Sequence, residues 1–356
     1  MERNKISVVM AVYNGESHIR SSVESILSQT CRDFEFIIVD DYSSDDTVNI
    51  IKTYNDSRIR IICNEKNIGQ TKSLNEGLRF AKGEFVARID VDDTAFSDRL
   101  EKQLNYMLKH SEYAAIGTSA LKIFEGSGKK EVYNAACTPS EVMVRLFYTT
   151  PLLHVTVMMR KDAALKVGGY DGKFLICADY ALWSNLIRNK YKVISLSEIL
   201  MKFKVSDESY SSRNPENIVS EYCKLLMDNI NCMTDLQVSY QDARNLFTMF
   251  RPRSGELTDE EHEKTQVLFK NILLHLKEPW KVGISMREIT MPLTLACVNK
   301  AAYFLKDLKI AESRRVIYST IRKYGFNRRL FFILIATFLG RGLLAKLIRL
   351  REASFC

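Results

Sequence analysis

Two glycine signatures that mark nucleotide-binding loops are missing from this chain. No Gly-x-Gly-x-x-Gly follows its first apolar run, and no Gly-x-x-x-x-Gly-Lys-[Ser/Thr] occurs anywhere. A Rossmann dinucleotide site and a P-loop are therefore unsupported. Paired cysteines are missing too. The eight present, at 31, 63, 137, 177, 223, 232, 297 and 356, form no Cys-x-x-Cys and no metal-like spacing, so a reduced cytosolic compartment is expected. No apolar leader precedes the first strand, because Met1-Glu2-Arg3-Asn4-Lys5 runs straight into it; secretion is not expected. Residues 330–339 form an apolar run, but one too short for a bilayer, which takes about 20 apolar residues.

What is present is a chain of 356 residues, 46% hydrophobic, long enough for two domains. Its net charge of +8 is unevenly placed, since residues 211–356 hold 23 Lys+Arg against 15 Asp+Glu and the rest is neutral. Residues 6–12 are continuously apolar, as in a parallel strand covered on both faces, and end in Tyr13-Asn14-Gly15. Residues 16–29 carry Ile19, Val23, Ile26 and Leu27 on one helical face. A second strand over 34–39 ends in Asp40-Asp41. A third over 59–63 and a helix over 70–81 lead to a fourth strand over 83–89, which ends in Asp90-Val91-Asp92-Asp93. Four alternations of strand and helix predict a parallel α/β sheet. In such sheets ligands bind beyond the carboxyl ends of the strands, where all three polar clusters fall. Three carboxylates this close repel one another and call for a cation or a sugar hydroxyl. Hard oxygens of this kind suit Mg²⁺ or Mn²⁺ carried on a phosphate; a solvated acidic turn capping the next helix is the plainer alternative.

The ordered segments Val8-Val9-Met10-Ala11-Val12-Tyr13-Asn14-Gly15, Val39-Asp40-Asp41-Tyr42-Ser43-Ser44-Asp45-Asp46-Thr47, Asn67-Ile68-Gly69 with Ser73-Leu74-Asn75, and Gly83 through Asp93 resemble the inverting glycosyltransferases of family 2. The similarity covers roughly residues 5–210. It implies the GT-A fold, a mixed α/β sheet flanked by helices. It also implies a donor site in which Tyr13 stacks on the base, Asp41 accepts from the base's ring N–H (favouring uracil or thymine) and Asp90 binds ribose hydroxyls. Ala11, Asn14 and Lys72 would add donor contacts. Asp92, supported by Asp93, would hold the Mn²⁺ or Mg²⁺ that bridges the diphosphate.

On the acceptor side, a strand over 114–120, a helix opened by Thr138-Pro139, His154 beginning a strand, and Gly168-Gly169-Tyr170-Asp171 after a short helix continue the resemblance. His154 and Trp183 are candidates for contact with acceptor or diphosphate, a structural histidine being the alternative. Ala178-Asp179 stands where the family usually has Glu-Asp. Asp179 would be the general base, taking the acceptor's proton in a one-step displacement that inverts configuration; the alternative is a helix N-cap. Ala11 stands where proline is common, Tyr42 where glycine is, and Ser97 where proline is. No Gln-x-x-Arg-Trp follows Asp179, so single addition is expected rather than processive synthesis.

Beyond residue 212 strand signals stop, and Pro252, Pro279 and Pro292 punctuate a series of helices. Residues 313–351 hold ten basic side chains and no acidic one, around the apolar run at 330–339. That pattern suits a helix lying in an anionic membrane interface, or a partner helix of a homo-oligomer; nucleic-acid binding is not expected. The domains expected are a catalytic domain at 1–212, a helical region at 213–312 and a membrane-associating or oligomerising tail at 313–356. The expected activity is that of a metal-dependent hexosyltransferase, peripheral on the inner face of the cell membrane. It moves one sugar from a UDP-sugar (dTDP-sugar is the variant) to a glycan or lipid-linked saccharide in lipopolysaccharide or capsule assembly. The rivals are a nucleotidyltransferase and a non-catalytic sugar-nucleotide scaffold.

Overall fold

A computed structural model describes residues 5–205, 215–251, 256–306 and 310–324; the apolar run at 330–339 and Pro252 lie outside these. The chain divides into two compact units, 1–214 and 215–356.

In the first unit, β1 (Ile6–Val12), β2 (Phe34–Asp40), β3 (Ile59–Cys63) and β4 (Phe85–Arg88) pair in parallel in the order β3-β2-β1-β4. β1 and β2 are buried at every position, which is why both read as unbroken apolar runs. The helices between them are α1 (Ile19–Leu27), α2 (Thr47–Lys52) and α3 (Gln70–Phe80). α1 turns Ile19, Val23 and Ile26 into the core, each worth about 1.5–3 kcal/mol on full burial. Gly77 lets α3 lie against β1, since a Cβ there would stand 2.4 Å from Val9 Cγ1.

The later strands make the sheet mixed. After β5 (Thr94–Ala95) and α4 (Arg99–Lys109) come β6 (Tyr113–Phe124), β7 (Lys130–Tyr133) and α5 (Pro139–Leu146). β8 (Met158–Arg160), α6 (Lys161–Lys166), α7 (Ala178–Arg188) and β9 (Lys192–Val205) complete the unit. β8 runs antiparallel between β4 and β6, while β9 runs parallel to β6 and carries β5 at its far side. The four alternating strands are parallel as expected, and the later strands give the mixed sheet that the family resemblance implies. A strand buried on both faces has the same apolar pattern in either direction, so pattern carries no sense of direction. His154 also departs from expectation, lying in a 3-10 turn (His154–Thr156) ahead of β8. Thr138 opens α5 through a capping box with Glu141, which satisfies two otherwise orphaned N–H groups.

The second unit is helical throughout its described residues: α8 (Pro215–Met233), α9 (Tyr240–Phe250), α10 (Asp259–Leu274), α11 (Met286–Lys306) and α12 (Ile310–Tyr324). Capping boxes at Ser239 and Thr258 start α9 and α10. Pro279 falls between α10 and α11, but Pro292 lies inside α11 and does not end it. Burial of Ile289, Leu293 and Ala296 around it offsets the one backbone bond that a proline removes. Among the described residues no helix is long and apolar enough to cross a membrane.

Candidate active site

The ends of β1, β2 and β4 bring three loops together. Tyr13 projects from β1 with its ring half exposed. Asn14 takes a left-handed φ of 50°, donates its backbone N–H to Ser43 Oγ at 2.9 Å and accepts the Ser44 N–H on Oδ1 at 2.9 Å. It therefore ties the first loop to the second. Gly15 lets that turn pass close to the acidic loop, because a Cβ would meet Val91 at 2.7 Å. Tyr42, where the family favours glycine, has φ 70° and an exposed ring; such a conformation costs a side-chain-bearing residue roughly 1–3 kcal/mol. Ala11 is buried in β1 opposite Val39, so its side chain is packing and offers the donor nothing.

Asp41 is placed differently from expectation. Its Oδ1 accepts from Asn64 Nδ2 at 2.8 Å and the Ile68 N–H at 2.9 Å, and its Oδ2 accepts the Gly69 N–H at 2.8 Å. The buried carboxylate is a clamp on the Asn67-Ile68-Gly69 loop and the start of α3. Asp40, directly before it, has the open valence: its Oδ1 is buried with no hydrogen-bond partner. Asp40 pairs in register with Val12, next to Tyr13. Asp41→Ala, which strands three donors, is expected to lower stability by about 2–3 kcal/mol, measurable by urea unfolding. Lys72 is exposed on the first turn of α3, and no hydrogen bond or ion pair joins it to the described residues.

The acidic loop is built around Arg88, a residue only 1% exposed. Arg88 donates to Asp90 Oδ1 and to the Ile89 carbonyl, and Gln70 Nε2 donates to the same Asp90 oxygen at 3.1 Å. Asp93 is buried and accepts the Lys204 N–H at 2.9 Å; burial and then the charges of Asp90 and Asp92 lift its carboxyl well above the usual range. Asp92 is half-buried, and no other side chain among the described residues bonds to it. Burial, followed by repulsion from Asp90, pushes it up, while its own backbone N–H, His18 and Lys204 oppose this. Lys204 Nζ is 3.0 Å from His18 Nδ1, so one cationic side chain faces the loop from β9.

A divalent cation fits this arrangement at Asp92. A carboxylate repelled by a neighbour favours its charged form once a cation is beside it. Among the described residues no group of three or more His, Cys, Asp or Glu could hold a metal unaided. Asp93 is turned into the fold and supports the loop through Lys204.

Across the site, Asp179 is the second residue of α7. The N-cap is Cys177, with no side-chain cap bond, so the capping alternative does not describe Asp179. Burial raises its carboxyl to about 6; the N–H groups of Tyr180 and of Asp179 itself, with Arg88, pull it down, and Asp90 pushes it up. The base candidate and the donor-side charges therefore act on one another. His154 Nε2 lies 2.8 Å from the Tyr170 hydroxyl, and burial, followed by Arg88, holds the ring well below the usual histidine range. Trp183 is fully buried, edge-on to His154 at 6.2 Å between ring centres. It is packing beneath His154 rather than a surface for an acceptor. Asn75 clamps the Gly-Gly-Tyr turn, donating to the Tyr170 carbonyl at 2.7 Å and accepting its N–H at 2.9 Å.

Residues 7–168 match the family model described as Glycosyl transferase family 2. The O-antigen biosynthesis glycosyltransferase WbnJ of Escherichia coli is 34% identical over 213 residues, which are 57% of this chain and 81% of WbnJ. The chain belongs to glycosyltransferase family 2. The UDP-Glc:alpha-D-GlcNAc-diphosphoundecaprenol beta-1,3-glucosyltransferase WfgD of Escherichia coli is 29% identical over 214 residues, 60% of this chain and 81% of WfgD. Among solved structures, S. aureus TarS 1-349 in complex with UDP-GlcNAc superposes with a TM-score of 0.56 at 18% identity, covering 91% of this chain and 93% of that one. The fold is GT-A.

For this family 2 transferase, the matched segment holds the loops at the ends of β1, β2 and β4 and stops before Asp179, so the case for Asp179 rests on its surroundings. Sequence reading placed Asp40 and Arg88 at strand ends without giving either a role, and it did not single out His18 or Lys204. Arg88 was visible as a charged residue inside an otherwise apolar strand, a placement that demands a partner. Lys204 and His18 are far apart in the chain, and no local pattern joins them.

Proposed function

We propose that this family 2 enzyme moves a single sugar from a UDP-sugar onto a lipid-diphosphate-linked saccharide, with inversion, in bacterial surface-polysaccharide assembly. The observation that carries this is the Asp179 carboxyl, raised to about 6 at the head of α7 within electrostatic reach of Arg88 and Asp90. A base near working pH can take the acceptor hydroxyl's proton as that oxygen attacks the anomeric carbon. With one base opposite the leaving group, the displacement inverts configuration. Tyr13 offers a face for the uracil, and the Asp40-Asp41 pair at the end of β2 the acceptor for its ring N–H. Asp90, oriented by Arg88 and Gln70, takes ribose hydroxyls. Asp92 would hold Mn²⁺ or Mg²⁺, which when bound neutralises charge gained by the departing diphosphate. Neutral His154, held by Tyr170 and Trp183, orients the acceptor side without adding charge. WfgD, by its name, uses UDP-Glc and a diphosphoundecaprenol-linked acceptor; the acceptor class proposed follows that relative. The ten basic residues at 313–351 suit attachment to the inner face of the membrane, where such acceptors are held.

Titration of the full chain with UDP, dTDP, GDP and ADP, each with and without Mn²⁺, tests the donor site. UDP is expected to bind most tightly, and Mn²⁺ to strengthen it by about tenfold or more. Asp92→Asn is expected to remove the metal effect while leaving metal-free affinity within about twofold. A preference for GDP would overturn the assignment of the Asp40-Asp41 pair and of Tyr13, and no binding to any nucleotide would end the catalytic reading.

A further inference from the structure

Two positive side chains gather around one tyrosine on the Asp179 side of the sheet, and neither has an ion pair. Lys122, near the end of β6, stands between Glu131 of β7 and Phe203 of β9 in the strand register. It shares a face with Ala120, two residues back, whose β7 partner is Tyr133. Its ammonium therefore lies among rings, 5.4 Å from the centre of Tyr133 and 5.7 Å from that of Phe203. Such rings hold a cation in place but give its N–H groups no carboxylate or carbonyl oxygen. Glu131 is the acid set to do so, yet it ion-pairs with Lys129 at 2.5 Å. Lys122 is half-buried, and it makes no hydrogen bond or ion pair with the described residues. Burial pushes its ammonium down, with Glu131 opposing.

Arg145 approaches the same ring from the last turn of α5. One guanidinium nitrogen donates to the Tyr133 hydroxyl at 3.0 Å and another to the Asn134 carbonyl at 2.6 Å. Both acceptors are uncharged, so the positive charge of Arg145 stays available. Glu141, on the same helix, is spent on the cap, where it accepts the N–H groups of Cys137 and Thr138. The Tyr180 hydroxyl donates to the Leu146 carbonyl at 2.6 Å. That bond ties the end of α5 to the head of α7, with Arg145 and Asp179 each one residue away from it. Burial lifts the Tyr133 phenol, Arg145 opposes this, and the Asp179 charge adds to it. The base candidate and the two cations thus meet at one ring.

We propose that Lys122 and Arg145 bind a phosphate of the acceptor, so that the sugar accepting the new unit is one still close to its lipid diphosphate. This rests on the reading of Asp179 as the base. A metal ion or an amine would be repelled by both cations. A neutral glycan would leave the Lys122 ammonium half-buried without a counter-charge. A phosphate oxygen accepts from that ammonium in a charge-assisted bond, and the guanidinium adds its charge beside it.

The test is calorimetric titration of the full chain, saturated with UDP and Mg²⁺, against three probes. These are an alkyl diphosphate of N-acetylglucosamine, the neutral alkyl N-acetylglucosaminide and an alkyl glucuronide, which carries a carboxylate instead. The wild type is expected to bind the diphosphate probe about tenfold or more tightly than the neutral one. Lys122→Met should lose that preference while keeping UDP affinity within about twofold. Lys122→Arg, which retains the charge, should recover it. A loss that Lys122→Arg shares marks a packing role and overturns the proposal, as does an unchanged preference in Lys122→Met. A glucuronide bound more tightly than the diphosphate probe overturns the assignment to phosphate. A wild type that binds UDP without preferring the diphosphate probe, whether it binds both sugars equally or neither, overturns this proposal alone. One that binds no UDP overturns the transferase reading and this proposal with it.

Discussion

Replacing Asp179 with asparagine is expected to lower kcat by about 100- to 10,000-fold, the range that a positioned general base contributes. UDP affinity should stay within about twofold, because the donor side is built from other loops. Wild-type pH dependence gives a second readout. The base works only when ionised, and burial places its carboxyl at about 6. The rate should therefore fall tenfold per pH unit below 6 and flatten above it. The same burial predicts an opposite effect on stability. The folded carboxyl binds its proton more tightly than the unfolded one, whose ordinary value is 3.8, so its ionisation opposes folding. The penalty is absent below pH 4, grows as pH rises towards 6 and is complete at pH 7, amounting to about 1–3 kcal/mol. Asp179→Asn should thus be more stable than wild type at pH 7 and no more stable at pH 4, by urea unfolding at both. A variant that loses turnover and stability together would mark Asp179 as structural, and unchanged turnover would sink its role as base.

Much of the first unit was legible because β1 and β2 are buried on both faces and their helices carry apolar stripes of the right period. What alternation could not supply was strand direction at β8, where three residues of apolar pattern read equally well either way. The carboxylates at the end of β2 show a finer limit. The sequence does not say which of Asp40 and Asp41 is closed onto the protein; the hydrogen bonds do, since Asp41 accepts the Ile68 and Gly69 N–H groups. Trp183 misleads for a related reason. α7 is buried over most of its surface, so its pattern gives no exposed face on which to place a sugar-binding ring. In the second unit the helices were legible, but Pro292 shows that packing of Ile289 and Leu293 can carry a helix through a breaker.

Arg88→Met is expected to destabilise the protein by about 3–5 kcal/mol, the cost of leaving one partner of a buried ion pair behind. The guanidinium is buried, donates to Asp90 and the Ile89 carbonyl, and leaves its own Nε unpartnered. That orphan N–H means the residue is not there for stability alone. Its charge acts on Asp179, His154, Tyr170 and Asp93 at once, making it the common electrostatic reference of donor and acceptor sides. Removing it should leave the Asp179 carboxyl above 6, because Arg88 is one of the groups holding it down. The acidic limb of the rate profile should then move to higher pH in Arg88→Met. A change confined to folding would lower the amount of active enzyme without moving that limb, so the pH profile separates the two effects. Adding Asp90→Asn removes the stranded partner as well. The double variant is expected to be less destabilised than the sum of the single losses, with a coupling of about 1–3 kcal/mol. Strict additivity would mean that the Arg88–Asp90 contact does not organise the acidic loop in solution.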